Sequence, residues 1–336
     1  MRLAAPPPAA PVERAAPPTF SVAIAAYQAA DVIGEAIASA LAQTAPPHEV
    51  VVCDDGSTDD LDRALEPYRD RIVLLRQRNG GEAAAKNAAA RAASGEFVAI
   101  LDADDVYLPE RLEALGRLAA ARPDLDVLTT DAHLEADGRV VRRVYGPHWT
   151  FEVGDQRRAI LQRNFVFGLA AVRRELLLEV GGFDEAIRFT TDWECWIRLV
   201  LDGSLVGAVL EPLARYRVRE TSLSADRTRM LEGRIASLRR ALEHPRLADR
   251  EREVALGTIA AHERELSVVR LQEAVRSGAA DARKVARRTA LAARTPLPTR
   301  LKAVAAAVAP GAAGRLLRRR DERAWVGAGA TRVERA

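Results

Sequence analysis

The sequence predicts an α/β protein built on a mostly parallel sheet with helices on both faces. Four apolar runs typical of buried strands alternate with helical patterns in the first third of the chain, over residues 20–27, 49–53, 71–77 and 97–101. Strands that alternate with helices pair in parallel through right-handed crossovers. Aspartates follow two of these strands directly, so both acidic segments are expected at the edge of the sheet where such folds bind ligands.

Helix and turn signals follow these strands in order. A helical face over residues 32–43 follows the first strand, and a Gly-containing turn over 54–60 follows the second. The turn at 79–81 leads into an alanine-rich helix over 82–93, which precedes the fourth strand. Each pair of strands is thus separated by enough chain for a crossover.

The fourth strand ends in three closely spaced carboxylates. Asp102 and Asp104 lie two residues apart and Asp105 follows, in the stretch GEFVAILDADDVYLP. Residues two apart in an extended segment point the same way, so Asp102 and Asp104 are expected to converge beyond the sheet. Converging carboxylates repel unless a cation joins them, and hard oxygen ligands favour Mg²⁺ or Mn²⁺. The alternative is a solvated turn before the next helix.

A second acidic segment, DDGSTDD, begins at Asp54 and Asp55, where the second strand ends. Its coincidence with the first segment at one sheet edge is the strongest physical indication of a site. Neither segment is a Walker loop or a GxGxxG turn, so the sequence does not support a phosphate-cradling loop or a dinucleotide site.

The second half of the chain carries a predicted hairpin at Asp137-Gly138 and a helix that begins near Asp192. The tryptophans of TDWECWIRLV share one helical face and are expected in the core. Thr191 and Glu194 match a capping box, which puts Asp192 in the first turn. There Asp192 is either a carboxylate stabilised by the helix dipole or a general base at a cleft, and the sequence does not separate the two.

Composition and charge bound the remaining properties. The 336 residues are 48% hydrophobic and 29% charged, as in a soluble globular protein. Residues 226–336 carry 25 Lys and Arg against 13 Asp and Glu, a net charge of +12, whereas residues 1–225 carry 25 against 34, a net charge of −9. The acidic part argues against a nucleic-acid cleft, and the basic part suits anionic lipid or another polyanion.

Four regions are predicted: a disordered Pro/Ala-rich leader over 1–18, a catalytic domain over 19–225, a helical extension over 226–293, and a basic Arg-rich tail over 294–336. The tail is either an amphipathic surface helix on anionic lipid or a partly disordered solubilising segment.

The two cysteines, Cys53 and Cys195, lie in buried-looking segments without a metal-site spacing, which indicates a reducing compartment. No apolar stretch is long enough for a membrane span. A cytoplasmic protein is expected, with at most a peripheral contact at the inner face of the membrane.

Together these segments resemble the family 2 glycosyltransferases of the GT-A fold, over residues 20–224. Five blocks carry the resemblance in order: SVAIAAYQAADVIGEAIASALAQT, EVVVCDDGSTDD, NGGEAAAKNAAARAASGEFVAILDADDVYLP, VRRELLLEVGGFDE and TDWECWIRLV. The blocks are specific for the family but not for a donor or an acceptor. The resemblance implies an inverting transfer from a nucleoside-diphosphate sugar to a saccharide or lipid-linked acceptor, with Mn²⁺ or Mg²⁺ as the cofactor.

The resemblance also implies roles on the donor side. Asp102 and Asp104 match the family's DxD motif, which binds the metal and the donor, and Asp105 is a further candidate metal ligand. The remaining donor-nucleotide residues implied by the family are Ala25, Tyr27, Asp54, Asp55 and Lys86. Lys86 stands where the family usually has Arg, so the charge is kept and the bidentate fork is lost.

On the acceptor side, Asp192 matches the catalytic base of the family's ED motif, although Thr191 replaces the usual Glu. The first block also departs from the family, with Ala25 for Pro and Gln28 for Asn. Two other functions compete with this one. A sugar-nucleotide pyrophosphorylase would need a Gly-rich basic loop near Phe20, which is absent. A catalytically degenerate scaffold at the membrane surface is favoured only by Thr191.

Overall fold

The computed structural model describes residues 3–6, 17–147, 149–218, 226–277, 282–291, 297–308 and 313. The chain divides into two compact units, one of residues 1–225 with 236–258 and one of residues 226–235 with 259–336. The helical region therefore does not separate from the sheet at a single point near residue 225, since residues 236–258 group with the sheet.

The described residues form ten strands and eleven α-helices. The strands are β1 Leu3–Ala4, β2 Phe20–Ala26, β3 Glu49–Asp54, β4 Val73–Arg76, β5 Phe97–Asp102, β6 Val106–Tyr107, β7 Val127–Ala136, β8 Arg139–Arg143, β9 Ala171–Arg173 and β10 Val206–Arg217. The helices are α1 Ile33–Leu41, α2 Leu61–Leu65, α3 Glu82–Ala92, α4 Arg111–Ala121, α5 Gln156–Gln162, α6 Arg174–Glu179, α7 Thr191–Asp202, α8 Arg227–Ala241, α9 Asp249–Ser277, α10 Ala282–Leu291 and α11 Leu297–Val308. A 3₁₀ helix, Glu66–Arg71, follows α2.

All ten strands belong to one mixed sheet in the first unit. The strand order is β1-β10-β7-β9-β5-β2-β3-β4, with β6 on β10 and β8 on β7. The four strands predicted from the first third of the chain are the parallel half, β4-β3-β2-β5. In the other half only β7 and β10 are parallel, because the short strand β9 runs antiparallel between β5 and β7. The predicted α/β fold is confirmed, and its antiparallel pairs come from the second half of the chain.

The burial of the parallel strands explains why their sequences are continuous apolar runs. β2, β3 and β5 are buried along nearly their whole length, and the same apolar cluster includes residues of α1 and α4. Burial stops where β5 meets Asp102, which is only partly buried. Asp102, the last residue of the apolar strand β5, therefore lies at the edge of the sheet. Cys53 and Cys195 are buried and free, as expected.

The hairpin predicted at Asp137-Gly138 joins β7 and β8 in an antiparallel pair. Both turn residues have positive φ, 51° at Asp137 and 69° at Gly138, as a type I′ turn requires. The predicted leader differs from the expectation of disorder. Its residues Leu3 and Ala4 form β1, the edge strand that pairs with β10. Residues 7–16 of that leader lie outside the described residues.

The second unit has its own small apolar core, formed by Leu271, Val275, Ala286, Ala303 and Ala306. Its helix α11 falls within the predicted basic tail, but the arginine cluster at 315–323 lies outside the described residues. Along the part of the chain that the structure describes, no helix is both long and apolar enough to cross a bilayer.

The amino ends of β2 and β3 are joined to the loop before β5 by one carboxylate. Glu49 Oε1 accepts hydrogen bonds from Ser21 Oγ at 2.7 Å, Ser94 Oγ at 2.7 Å and the Ser94 N–H at 2.6 Å. Partial burial by itself raises the pKa of Glu49, but these hydrogen bonds and the nearby His48 outweigh it, so the pKa lies below its ordinary value.

Replacing Glu49 with Gln should lower the stability at neutral pH and leave it unchanged in acid. A lowered folded-state pKa stabilises the fold fully above the unfolded-state pKa, about 4.3 for Glu, and that contribution is lost as the pH falls through the folded-state value. We expect Glu49→Gln to cost about 1 kcal/mol at pH 7 in urea unfolding, with the difference shrinking below about pH 4. Glu179→Gln, at an exposed residue of α6, is the matched control; equal stabilities of both variants at pH 7 would contradict the role of Glu49.

Candidate active site

The acidic turn between β5 and β6 lies at the carboxyl end of the parallel strands. Asp102 ends β5, and the N–H of Asp105 donates to the carbonyl oxygen of Asp102 at 3.0 Å, which closes a tight turn around Asp104. The side chain of Asp102 is 32% exposed, and Asp104 is also only partly buried. Two of the three aspartates are thus accessible at the sheet edge where the sequence predicts a site.

A buried lysine lies between two carboxylates beside this turn. Nζ of Lys86 is 2.7 Å from Asp102 Oδ1 and 2.5 Å from Glu82 Oε1, and Lys86 itself is only 4% exposed. Burial by itself lowers the pKa of Lys86, but the negative charges of Asp102 and Glu82 outweigh it and raise that pKa above its ordinary value. Lys86 is therefore a fixed positive charge that partly neutralises the acidic turn.

Asp105 is distinct from its neighbours because it is buried. Its Oδ1 accepts a hydrogen bond from the Arg217 N–H at 2.8 Å, at the end of β10, and its buried Oδ2 has no hydrogen-bond partner among the described residues. Burial, followed by the charges of Asp102 and Asp104, raises the pKa of Asp105 well above its ordinary value. Asp105 thus joins the turn to β10, which makes it less available to a metal ion than Asp102 or Asp104.

The second acidic segment ties neighbouring loops together. Asp55 is buried, and its Oδ1 accepts from Gln77 Nε2 at 2.7 Å and the Gly80 N–H at 2.8 Å, while its Oδ2 accepts from the Gly81 N–H at 2.8 Å. Asp54 Oδ1 accepts from the Ser57 N–H at 2.9 Å. Asp55 therefore fixes the loop before α3, and its predicted contact with a nucleotide base stays a prediction.

The exit of β2 lies beside both acidic segments. Ala25 pairs in register with Cys53 on one side and with Asp102 on the other. Tyr27, just after the strand, is 52% exposed, so its ring is available to a ligand. The next residue, Gln28, has a φ of 51°, and its side chain hydrogen-bonds with the N–H and the hydroxyl of Thr58 at 2.9 Å each. The loops after β2 and β3 are thereby held together.

Asp192 comes to the same region from α7, ninety positions along the chain from Asp102. Its half-buried carboxylate accepts a hydrogen bond from Asn164 Nδ2 at 3.1 Å. Burial raises the pKa of Asp192 above its ordinary value, and the charges of Lys86, Glu82 and Asp102 also act on it. Asp192 therefore interacts electrostatically with the acidic turn and its lysine, and burial holds the pKa of Asp192 above its ordinary value.

The predicted capping box at the start of α7 is wrong, although Asp192 does lie in the first turn. The N-cap is Thr190, which has a φ of 61° and makes no side-chain cap hydrogen bond. Thr191 is the first helical residue and is buried. Glu194 pairs with Arg198 one turn later at 2.7 Å instead of reaching back to the N-cap. A charged guanidinium is the stronger partner for a buried carboxylate than a backbone N–H.

Asp102 and Asp104 of the acidic turn are the residues that could hold a divalent cation. Among the described residues, no group of three or more His, Cys, Asp or Glu is arranged to hold a metal on protein ligands alone. Mg²⁺ and similar ions are usually bound by one or two carboxylates together with phosphates and water. Asp102 and Asp104 offer such a pair on one turn, and the buried Lys86 ammonium already neutralises part of the charge of Asp102.

Three residues of this region were not predicted from the sequence. Glu82 stands four residues before Lys86, and that helical spacing was a usable signal. Arg217 donates through its guanidinium to Glu35 at 2.6 Å and to the Asp104 carbonyl oxygen at 3.4 Å. Asn164 bonds Asp192. Arg217 and Asn164 lie far from these partners in sequence, and no local pattern marks them.

The chain is similar in sequence to known glycosyltransferases. Residues 21–181 match the model of the family described as glycosyl transferase family 2. The chain is 31% identical to chondroitin synthase of Escherichia coli over 54% of this chain and 26% of that protein. It is 34% identical to succinoglycan biosynthesis protein ExoO of Rhizobium meliloti over 62% of this chain and 63% of that protein. The matches thus span less than two thirds of the length of these relatives.

Two solved structures are similar in fold. Residues 1-349 of S. aureus TarS in complex with UDP-GlcNAc superpose with a TM-score of 0.59 and 19% identity, over 91% of this chain and 92% of that chain. The mannosyltransferase PcManGT of Pyrobaculum calidifontis, in complex with GDP-Man and Mn²⁺, superposes with a TM-score of 0.56 and 22% identity, over 92% and 90%. At these identities the likeness concerns the fold.

Proposed function

The chain belongs to glycosyl transferase family 2 and has the GT-A fold, and from this premise we propose that it is a metal-dependent, inverting glycosyltransferase. It moves a sugar from a nucleoside-diphosphate sugar to a hydroxyl of a saccharide or lipid-linked acceptor. The observation that supports this most strongly is that Asp192 and the Lys86–Asp102 pair lie within electrostatic reach of each other at the sheet edge. Relatives named for chondroitin and succinoglycan synthesis favour a role in making a polysaccharide.

The donor lies along the carboxyl ends of β2, β3 and β5. The exposed ring of Tyr27 lies against the nucleotide base, with Ala25, Asp54 and Asp55 forming the rest of the base and ribose pocket. Asp102 and Asp104 would hold Mn²⁺ or Mg²⁺, and the ion would supply positive charge against the charge that grows on the leaving diphosphate. Lys86, charged and anchored by Glu82, keeps the Asp102 carboxylate in place at that end of the donor.

Asp192 accepts the proton of the acceptor hydroxyl as that oxygen attacks the anomeric carbon. A raised pKa makes the ionised form of the Asp192 carboxylate a stronger base. The attack comes from the face opposite the leaving group, so one displacement inverts the anomeric configuration. Lys86, on the donor side, is protonated and does not compete for this proton.

The second unit supports a peripheral contact with anionic lipid at the inner face of the membrane. Arg283, Lys284 and Arg287 of α10 are exposed, and so are Val304 and Val308 of α11. Basic side chains near an anionic surface contribute about 1 kcal/mol each, so three of them give a measurable attraction. Such a contact brings the enzyme to a lipid-linked acceptor.

The donor site is tested by calorimetry of nucleoside diphosphates and their sugars, with and without Mn²⁺. We expect the protein to bind one nucleotide in a metal-dependent manner, and Asp104→Ala to weaken that binding about tenfold or more because a metal ligand is lost. Asp60→Ala, at an exposed aspartate in the neighbouring loop, is the control. Equal affinity in both variants would count against the metal assignment. Absence of any nucleotide binding by the folded protein would favour the non-catalytic scaffold.

The base is tested by turnover. Asp192→Asn should lower kcat by about 10²–10⁴-fold, because the amide cannot accept the hydroxyl proton, while donor affinity stays near the wild-type value. Asp60→Asn serves as the matched substitution and should transfer sugar normally. Unchanged turnover in Asp192→Asn would remove this residue from the role.

The membrane contact is tested with the full chain in co-sedimentation on vesicles that contain anionic lipid. Reversing three charges of α10, in Arg283→Glu/Lys284→Glu/Arg287→Glu, should reduce the bound fraction, and added salt should do the same to the wild type. A control with the same charge change, Arg63→Glu/Arg139→Glu/Arg142→Glu, replaces exposed arginines of the first unit. Equal binding of both triple variants would refute a specific role for α10.

A further inference from the structure

We infer that Asn164 is a positioning residue that holds the Asp192 carboxylate in the orientation needed to receive the acceptor proton. The inference deepens the proposed function and rests on Asp192 being the base. Asn164 Nδ2 donates to Asp192 Oδ2 at 3.1 Å, and the two residues come from separate elements, the loop after α5 and the first turn of α7. A carboxylate at a helix start can rotate about its side-chain bonds, so a fixed donor restricts it to fewer orientations.

The orientation of the Asn164 amide is itself determined by its neighbours. Asn164 Oδ1 accepts from the Val166 N–H at 3.1 Å, and the indole Nε1 of Trp149 donates to the Asn164 carbonyl oxygen. A flipped amide would set its NH₂ group against the N–H of Val166, and its oxygen against the Asp192 carboxylate, so both contacts would become repulsive. The backbone N–H of Val166 therefore fixes the amide with its NH₂ group towards Asp192.

A glycine of the same segment also lies close to this carboxylate oxygen. A Cβ built on Gly168 would lie 3.3 Å from Asp192 Oδ2, which is tighter than ordinary van der Waals contact. Residues 164 and 168 belong to one segment, so this segment both donates to the carboxylate oxygen and leaves room for it. The hydrogen bond from Asn164 therefore restricts where the Asp192 carboxylate can lie, and the absence of a side chain at Gly168 leaves space for it there.

Several titratable groups influence the pKa of Asp192. Lys86 and Glu82 act from α3, Asp102 acts from the end of β5, and the Cys195 thiol lies on the same helix as Asp192. None of these groups changes when Asn164 is replaced. A hydrogen bond that stabilises the charged form lowers a carboxyl pKa, so its removal should raise the pKa of Asp192.

The experiment compares Asn164→Ala with Arg163→Ala, a substitution at the neighbouring residue whose side chain contacts Thr150 and Glu152 and not Asp192. The pKa of Asp192 is measured by NMR titration of ¹³C-labelled aspartate, with its signal assigned from Asp192→Asn. The dependence of kcat on pH is measured in parallel. A third variant, Trp149→Phe, keeps an aromatic ring but removes the indole N–H together with part of the ring, and it covers the case in which Asn164→Ala does not fold.

For Asn164→Ala we expect the Asp192 pKa and the acidic limb of kcat to rise by about one pH unit, kcat to fall about tenfold at its optimum, and donor KM to change less than twofold. Trp149→Phe should raise the Asp192 pKa and the acidic limb of kcat by a smaller amount, and Arg163→Ala should change neither of these two quantities. An unmoved Asp192 titration in folded Asn164→Ala and Trp149→Phe would overturn the inference, as would a moved titration with an unchanged kcat profile. A wild-type protein that transfers no sugar would refute the proposed function and the positioning role of Asn164 in catalysis together, while the titration would still report whether the contact exists.

Discussion

The arrangement of this protein depends on how carboxylates are kept together at one edge of the sheet. Asp102, Asp104 and Asp105 share a turn, and Asp192 approaches from a helix of the second half. Two like charges 4 Å apart at an effective dielectric of 20 repel by about 4 kcal/mol, so such a group does not persist without compensation. The ion pair of Lys86 with Asp102 and the hydrogen bond from the Arg217 N–H to Asp105 supply part of it. A bound cation would supply more, which is why the fold and the proposed chemistry use the same residues.

The loops around this edge are ordered mainly by polar contacts between segments. Asp55 holds the loop before α3, Gln28 joins the loops after β2 and β3, and Asn87 makes two hydrogen bonds with the backbone of Phe183. The last contact also explains a glycine: Gly182 has a φ of 74°, and a Cβ there would collide with Asn87 Oδ1. These buried polar groups satisfy one another, so loops that have few apolar side chains are still fixed.

The helix that carries Asp192 is fixed in a different way. Trp193 and Trp196 are buried on one face of α7, and the Trp193 indole N–H donates to the Ile160 carbonyl oxygen of α5 at 2.8 Å. Apolar packing of adjacent residues therefore sets the position of the helix, whereas Asn164 and Gly168 set the orientation of the carboxylate. The tryptophans serve the site indirectly, by giving a rigid base to its first turn.

The sequence alone determined the parallel half of the sheet, the places where its strands end, the hairpin at Asp137-Gly138 and the helix that carries Asp192. These features are encoded locally, by apolar runs, turn residues and helical periodicity, so a short window of residues is sufficient to predict them. Tertiary structure alone decided which carboxylate is paired with Lys86, that Asp105 is buried against Arg217, that Glu194 bonds Arg198 rather than the N-cap, and that Asn164 contacts Asp192. Except for Glu194, whose partner lies one turn along α7, these contacts join segments far apart in sequence. Which partner each group contacts depends on the burial and charge around it, and these are defined only once the chain has folded.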